Sequence, residues 1–599
     1  MLVSKRGLRD IFTTSITYVV PLFQRPYVWE RDANWEPLWE SIESVADAVL
    51  EKRNRHHFLG AVVLEQLETA TGDMSQRQVI DGQQRLTTLQ LFLAAFRSYC
   101  VDRPELADYV AELDTYTRNR GVRADRKESD RYKVWPTNSD RALFKTAMAE
   151  SFSPSSSQSL MEEAREWFRG AISEWFDDCA ERGIASPEAV AALFAAIDER
   201  IFLAVLDLDR DDDSLEIFET LNALGTPLLA SDLIKNYSLR MAISLGLDIE
   251  MLFDTYFRPF EQEKAFWNKE VSVGRFKRKK IDVFYQYFLG LVLKDDIVHE
   301  DLFGRFREYV ETMLASENES KAKGESLVRC LKDIRAYADL YFTLEHLPAD
   351  QPSRKFLDLL ERLETTTFMP IVLLTHHATN DATLIHAIED SIASYLMRRM
   401  VIRETTKSYN RLVSEILGKV GYSETGLRDI PALLMAQTAA SNRWPADDEV
   451  QSAFVSLPLY KVLKRSRLQI LLERIDEGLN DHLAANVQIQ GSLQIEHLMP
   501  QAWKDHWQLP ADKEPAAAER ERERIIHTIG NLTLITGPLN ASISNGAWSG
   551  KRRSILAHNA INMNREFQGE SYSVWDESKI EQRSMALAEV FCRQFARHG

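Results

Sequence analysis

Residues 495–501 read IEHLMPQ, and residues 530–545 read GNLTLITGPLNASISN, followed by Lys551, Arg552 and Arg553. SLQIEHLMP alternates like a strand and stops at Pro500, and IGNLTLIT (529–536) has the β-branched character of a second strand. Residues 538–560 return to a helical pattern. The segment therefore runs strand, strand, helix, with a histidine on the first strand and asparagines on the second strand and the helix. Metal-assisted hydrolysis of a phosphodiester needs a neutral imidazole near pH 7 to take a proton from water. It also needs a divalent ion held by a few oxygen ligands, and cations to hold the backbone. Glu496, His497, the asparagines and the 551–553 cluster supply each type between residues 495 and 553. Taken singly, His497 reads as a structural residue and each Asn as a turn former. The joint order and spacing carry the catalytic reading.

This order resembles the HNH, or His-Me finger, nucleases, whose motif runs acidic-His-x-x-Pro-Gln, with one Asn opening the second strand and another nine residues on. Glu496-His497, Pro500-Gln501, Asn531 and Asn540 stand at those places. The resemblance implies His497 as general base, Glu496 and Asn540 as ligands of Mg²⁺ or Mn²⁺, and Asn531 as the holder of the loop that orients His497. The chain departs from the pattern in carrying Glu496 where many members have Asp. Adjacent strand residues also face opposite ways, so both can address one ion only if the strand twists or ends there. Asn545 and Lys551 read either as phosphate or metal-shell groups or as a solvated helix face. His506, His527 and His558 read as structural or surface residues.

A second constellation lies upstream: FQRPYVW (23–29), VIDGQQRLTTL (79–89) and IFETLNALGTPLLASDLIKNY (217–237). Strand signals at 16–23, 58–67 and 77–80 precede a helix from about residue 81, whose Leu86, Leu89, Leu93 and Phe96 form an apolar stripe. Asp81-Gly82 makes the turn between strand and helix. Gly82 admits a phosphate close to the backbone, the helix N-terminus offers free N–H groups, and Arg85 adds a bidentate donor. A plain strand–turn–helix with a surface arginine reads equally well from spacing alone. No Walker-type loop occurs, and the acidic run Asp207, Asp209, Asp211, Asp212, Asp213 reads as a solvated loop or a cation site.

Together the three motifs resemble the ParB-like N-terminal domain of GmrSD-type restriction proteins. That family binds and hydrolyses nucleotide and couples it to cleavage by an HNH domain. The resemblance implies a nucleoside triphosphate site, ATP or GTP, at Asp81, Gly82, Gln83, Gln84 and Arg85. Arg25, Asn222, Lys235 and Asn236 would assist. It covers roughly 15–240 and 425–599 and touches the middle only through YLMRRMVIRETTKSYNRL (395–412).

The 599 residues are 45% hydrophobic and 27% charged, an ordinary globular balance that excludes disordered and collagen-like chains. The expected fold is a mostly helical multidomain α+β chain. The resemblance implies a ParB-like nucleotide-binding domain at residues 1–240, a helical linker or sensing domain at 241–424, and a ββα-metal nuclease domain at 425–599, with its core at about 490–560. IFLAVLDLD (201–209) reads as a buried strand, SLEIFETLNALG (214–225) as a helix, and about 240–480 as nearly all helical. Four scattered cysteines fit a reducing cytoplasm. No signal peptide or membrane-length apolar run occurs.

The net charge of −17 excludes a wholly basic nucleic-acid coat, so DNA contact is expected at local patches. These are Arg118–Lys133, the RFKRKK run with Lys277 and Lys279, and Lys551 with Arg552. Each also reads as a solvated face. The function expected is a nucleotide-regulated, metal-dependent endonuclease that restricts modified foreign DNA, acting as a homodimer if it cuts both strands. The alternatives are a ribonuclease toxin with the same chemistry and a non-catalytic nucleotide- or DNA-binding module.

Overall fold

The computed structural model describes residues 2–597 apart from 23, 68, 70–73, 120–125, 153–158, 209–228, 275, 481–492, 506, 511–513, 544–545 and 559–560. The helix expected at 214–225 lies outside the described residues. The architecture is mostly helical α+β. The chain divides into two compact units, residues 1–262 with 317–327, and 263–316 with 328–599. The segment 241–424, expected as a helical domain of its own, is shared between them.

The first unit is built on a six-stranded mixed sheet. Its strands are β1 (Leu2–Gly7), β2 (Ile16–Val19), β3 (His57–Gln66), β4 (Ser75–Asp81), β5 (Val134–Trp135) and β6 (Ile201–Leu208). Their spatial order is β1-β6-β3-β4-β2-β5. β3 runs parallel to β6 and antiparallel to β4, and β2 lies parallel to both β4 and β5. Ile201, Leu203 and Val205 of β6 join the main core. Helices α1 (Glu36–Leu50), α2 (Gln83–Val101), α3 (Leu160–Glu181) and α4 (Ser186–Ala195) contribute Trp39, Phe92, Phe168 and Leu193 to it. Each such side chain, fully buried, stabilises the fold by about 1.5–3 kcal/mol. Leu208 alternates to the other face, where it meets Val63, Ile80 and Leu233 of α5 (Ala230–Ser244). Ser159 starts α3 with a capping box: its side chain accepts from the Glu162 N–H, and the Glu162 carboxylate accepts from the Ser159 N–H at 2.9 Å.

The second unit carries a hairpin near its start, β7 (Glu270–Val273) and β8 (Phe276–Lys279), with Val273 opposite Phe276. This departs from the all-helical reading of 240–480. Val271 and Val273 alternate with exposed residues, the period of a strand, and Gly274 takes φ +61 at the turn. Helices α6 (Lys280–Leu293) and α7 (Ala382–Val401) follow. In α7, Arg398 and Arg399 are fully buried. Arg398 donates to the carbonyls of Phe595 and Pro445, and Arg399 to those of Arg443, Thr405 and Ser441. The MRRM motif thus ties this helix to distant loops of the same unit.

The elements that bear on the site are α8 (Leu459–Val462), α9 (Arg465–Gly478), β9 (Leu493–His497), α10 (Pro515–Ile525), β10 (Leu532–Thr536), α11 (Gly537–Ile543), α12 (Trp548–Ala557) and α13 (Glu577–Gln594). Leu498, Met499, Trp503, Ile535, Trp548, Phe567 and Trp575 form the core beneath β9 and β10. Among the described residues, no helix is long and apolar enough to cross a membrane.

Candidate functional site

β9 and β10 pair antiparallel, with Leu532 opposite His497 and Thr533 opposite Glu496. Strand alternation sends Ile495 and His497 to the buried side and Gln494 and Glu496 to the other. The His497 ring is 5% exposed and meets Tyr460 edge-on at 4.3 Å between centroids. Its Nε2 lies 3.4 Å from Nδ1 of His527. Burial pushes His497 down to about 3, helped by His527 and by the cations of Lys551, Arg465 and Lys461. Burial and Lys461 bring His527 down to about 4. Both rings are therefore neutral at pH 7, the form in which an imidazole accepts a proton.

Asn531 is fully buried and grips the loop that follows β9. Its Oδ1 accepts from the Met499 N–H at 2.8 Å and from the Trp575 indole at 3.0 Å. Its Nδ2 donates to the carbonyls of Met499 at 2.8 Å and Ile526 at 2.9 Å. Gly530 is required next to it, since a Cβ there would lie 2.0 Å from the Ile580 carbonyl oxygen of α13. Arg583 of that helix donates to the carbonyls of Gly530 and Leu532, and the Ser584 hydroxyl accepts from the Gly530 N–H at 3.0 Å.

Glu496 faces Lys551. The ammonium donates to Glu496 Oε1 at 2.5 Å and to the His497 carbonyl at 2.7 Å. Of the readings of Lys551 as a phosphate group, a metal-shell group or part of a solvated face, the last is excluded: the side chain is 2% exposed and holds the end of β9. Burial lowers its pKa, and Glu496 counters that. Asn540 of α11 donates to Gln494 Oε1 at 2.8 Å. Glu496, Gln494 and Asn540 thus present one carboxylate and two amide groups at the same side of β9. Hard oxygen donors of this kind, with waters, suit Mg²⁺ or Mn²⁺, so the donor set fits such an ion provided Lys551 shares the carboxylate. Arg552 is bound to the carbonyls of Phe567 and Gly569. Asn545 and His506 lie outside the described residues.

In the first unit, Gly82 adopts φ +92 between β4 and α2, and a Cβ there would lie 2.9 Å from Val62 Cγ2. The two glutamines of DGQQR stitch the QRPYVW segment to the turn. Gln83 donates to the Arg25 carbonyl at 2.9 Å, and Gln84 donates to that of Pro26 and accepts from the Val28 N–H. Both amides, expected at a nucleotide, are engaged by backbone. Arg85 donates to the Ala61 carbonyl at 2.5 Å, and its guanidinium covers Gly60, where φ is +100. Burial lowers the Arg85 pKa, with Asp81 opposing. Asp81 and Arg25 are half-buried at this turn. Lys235 pairs with Glu261 at 3.2 Å, and Asn236 is buried. Asn222, Asp209 and Asp211–Asp213 lie outside the described residues, while Asp207 binds Arg6 and Arg77.

The basic runs are mostly paired. Lys133 is buried on the Thr14 carbonyl, and Arg118 donates to that of Met148; Arg120 and Arg123 lie outside the described residues. Lys279 pairs with Glu270 and Arg278 with Glu300; Lys277 is exposed, and Arg275 lies outside the described residues. His527, read as a structural or surface residue, is buried against His497. Tyr460, Lys461 and Arg465 also come near His497 and carry no spacing signal linking them to it.

Two family models match the chain: the N-terminal domain of the GmrSD restriction endonucleases over residues 8–239, and their C-terminal domain over residues 444–590. No curated protein matches it.

Proposed function

We propose, from the premise that this chain belongs to the GmrSD restriction endonucleases, that its second unit hydrolyses phosphodiester bonds of modified foreign DNA at His497 and that its first unit regulates the cut through a bound nucleoside triphosphate. The observation that carries the reading is the β9–β10 pairing. It brings His497 and Asn531 together, with Asn531 gripping the peptide of Met499.

A neutral His497 accepts a proton from the attacking water. His527 stands against its Nε2 and limits how the ring turns. Asn531 keeps the loop, and with it the imidazole, in place. Glu496 and Asn540, with Gln494 beside them, would hold a Mg²⁺ or Mn²⁺ ion, which supplies charge neutralisation at the scissile phosphate. In the first unit, the Gly82 turn, the start of α2 and Arg85 supply the elements of a phosphate cradle. Nucleotide turnover there gates a nuclease that would otherwise harm its own cell.

The test is cleavage of unmodified plasmid and modified phage DNA in Mg²⁺ or Mn²⁺, with and without ATP or GTP, comparing wild type with His497→Ala. Cleavage of modified DNA alone, dependent on nucleotide and lost in the variant, supports the reading. Intact DNA together with cut RNA would replace it with a ribonuclease.

A further inference from the structure

Beside the histidine pair lies an open recess of about 490 Å³, lined by Lys461, Gln501, Trp503, Lys504, Glu523 and His527 among others. Lys461 alone of the segment Pro458–Arg467 lines this recess, and the segment is anchored on the pair itself. The Tyr460 N–H donates to the His527 carbonyl at 3.1 Å, and the Tyr460 ring packs against both imidazoles. Wherever His497 and His527 sit, this segment follows.

The segment carries four cations, Lys461, Lys464, Arg465 and Arg467, and they divide in two. Lys464 and Arg467 close on Glu364, at 2.6 and 3.0 Å. Lys461 and Arg465 are exposed and meet no carboxylate among the described residues; Arg465 only reaches the Tyr460 hydroxyl, at 3.3 Å. Both charges are near enough to act on His497. In a chain of net charge −17, two uncompensated cations beside the histidine pair are a local reversal of sign. Among the described residues, Glu523 is the one carboxylate in the recess lining, and Lys504 is paired with Glu519.

We propose that Lys461 and Arg465 form a backbone clamp that holds phosphates of the DNA strand flanking the cleaved bond, with the strand lying in the recess beside His527. The clamp rests on the reading of His497 as the cleavage centre. It needs no base contact, so it positions the strand without selecting its sequence. Lys464 and Arg467 take no part, being held by Glu364.

The experiment is duplex-oligonucleotide binding by the full chain in EDTA, followed by fluorescence anisotropy across a KCl series. Removing two phosphate contacts should lower the log–log salt slope by about 2, and weaken binding at low salt by about 10–100-fold. Lys461→Ala with Arg465→Ala should show this, with an unchanged melting temperature because both side chains are exposed. Lys464→Ala with Arg467→Ala should keep the wild-type slope. An unchanged slope in the first double variant, or an equal loss in the second, overturns the clamp. The readout does not depend on cleavage. A slope that falls while the wild type cuts no DNA leaves Lys461 and Arg465 as phosphate contacts but overturns their placement beside a cleaved bond; an unchanged slope in a protein that cuts overturns the clamp and leaves the nuclease reading standing.

Discussion

Replacing Asn531 with alanine removes four hydrogen bonds from a side chain with no solvent access. The Met499 N–H and the Trp575 indole N–H are left without their acceptor, and the carbonyls of Met499 and Ile526 without a donor. A buried donor without a partner costs about 1–3 kcal/mol, so the two N–H groups alone cost about 2–6 kcal/mol. Much of this falls on the loop after His497, because the Met499 peptide is gripped from both ends. An opening cost lower by about 3–4 kcal/mol corresponds to roughly 10²–10³-fold faster exchange of the Met499 amide. Hydrogen exchange read by mass spectrometry on a peptide spanning 495–503 measures this directly. Peptides from β4 and α2, in the other unit, serve as the internal control and should not change. Single-turnover cleavage should fall with the loss of protection, since His497 then samples unproductive orientations. If Met499 stays protected within about threefold, the loop does not depend on Asn531 and the reasoning fails. A loss of cleavage with full protection would place Asn531 in the chemistry itself.

Gly530→Ala puts a methyl group 2.0 Å from the Ile580 carbonyl oxygen, which is backbone and cannot step aside cheaply. Chemical denaturation should show the second unit destabilised by about 3 kcal/mol or more. Lys551→Met leaves Glu496 without its cation and should cost about 3–5 kcal/mol; in a thermal melt, added Mn²⁺ should then recover more stability than it adds to wild type, and no response to the ion would exclude Glu496 as a ligand. Arg85→Ala should lower nucleotide turnover by about tenfold or more, leaving His497-dependent cleavage intact, and undiminished turnover would remove Arg85 from the nucleotide site. His497 and His527 titrate at about 3 and about 4 in the fold against 6.5 ordinarily. Between about 6.5 and 4 the unfolded chain binds protons that the folded chain refuses, so stability falls as pH drops through that window. His527→Gln should flatten this fall in melting curves.

What was legible in the sequence was whatever spacing alone encodes. The order of His497, Asn531 and Asn540, the glycine turn of DGQQR, and the places of β2, β3, β4 and β6 follow from local periodicity and turn chemistry, although β2 ends at Val19, short of the strand signal read over 16–23. β1 was missed because Lys5 and Arg6 mask its alternation, and it becomes a strand only by pairing with β6 some 200 residues on in the sheet, Leu2 opposite Asp207. The hairpin at 270–279 was hidden in the same way by its charges.

The roles of polar side chains were the least legible part, and the reason is physical. A lysine, a glutamine or a histidine has no intrinsic role until the fold decides whether a partner is delivered to it. Lys551 looked like a surface cation in a basic run and became buried because Glu496 and the His497 carbonyl arrive beside it. Gln83 and Gln84 looked like ligand groups and are engaged by the carbonyls of Arg25 and Pro26. His527 looked incidental and stands against the candidate base. The same rule sorts the cations of KVLKRSR (461–467), which are indistinguishable in the sequence. Glu364, a hundred residues upstream of Lys464, takes Lys464 and Arg467. That leaves Lys461 and Arg465 as the two charges available to a phosphate beside His497.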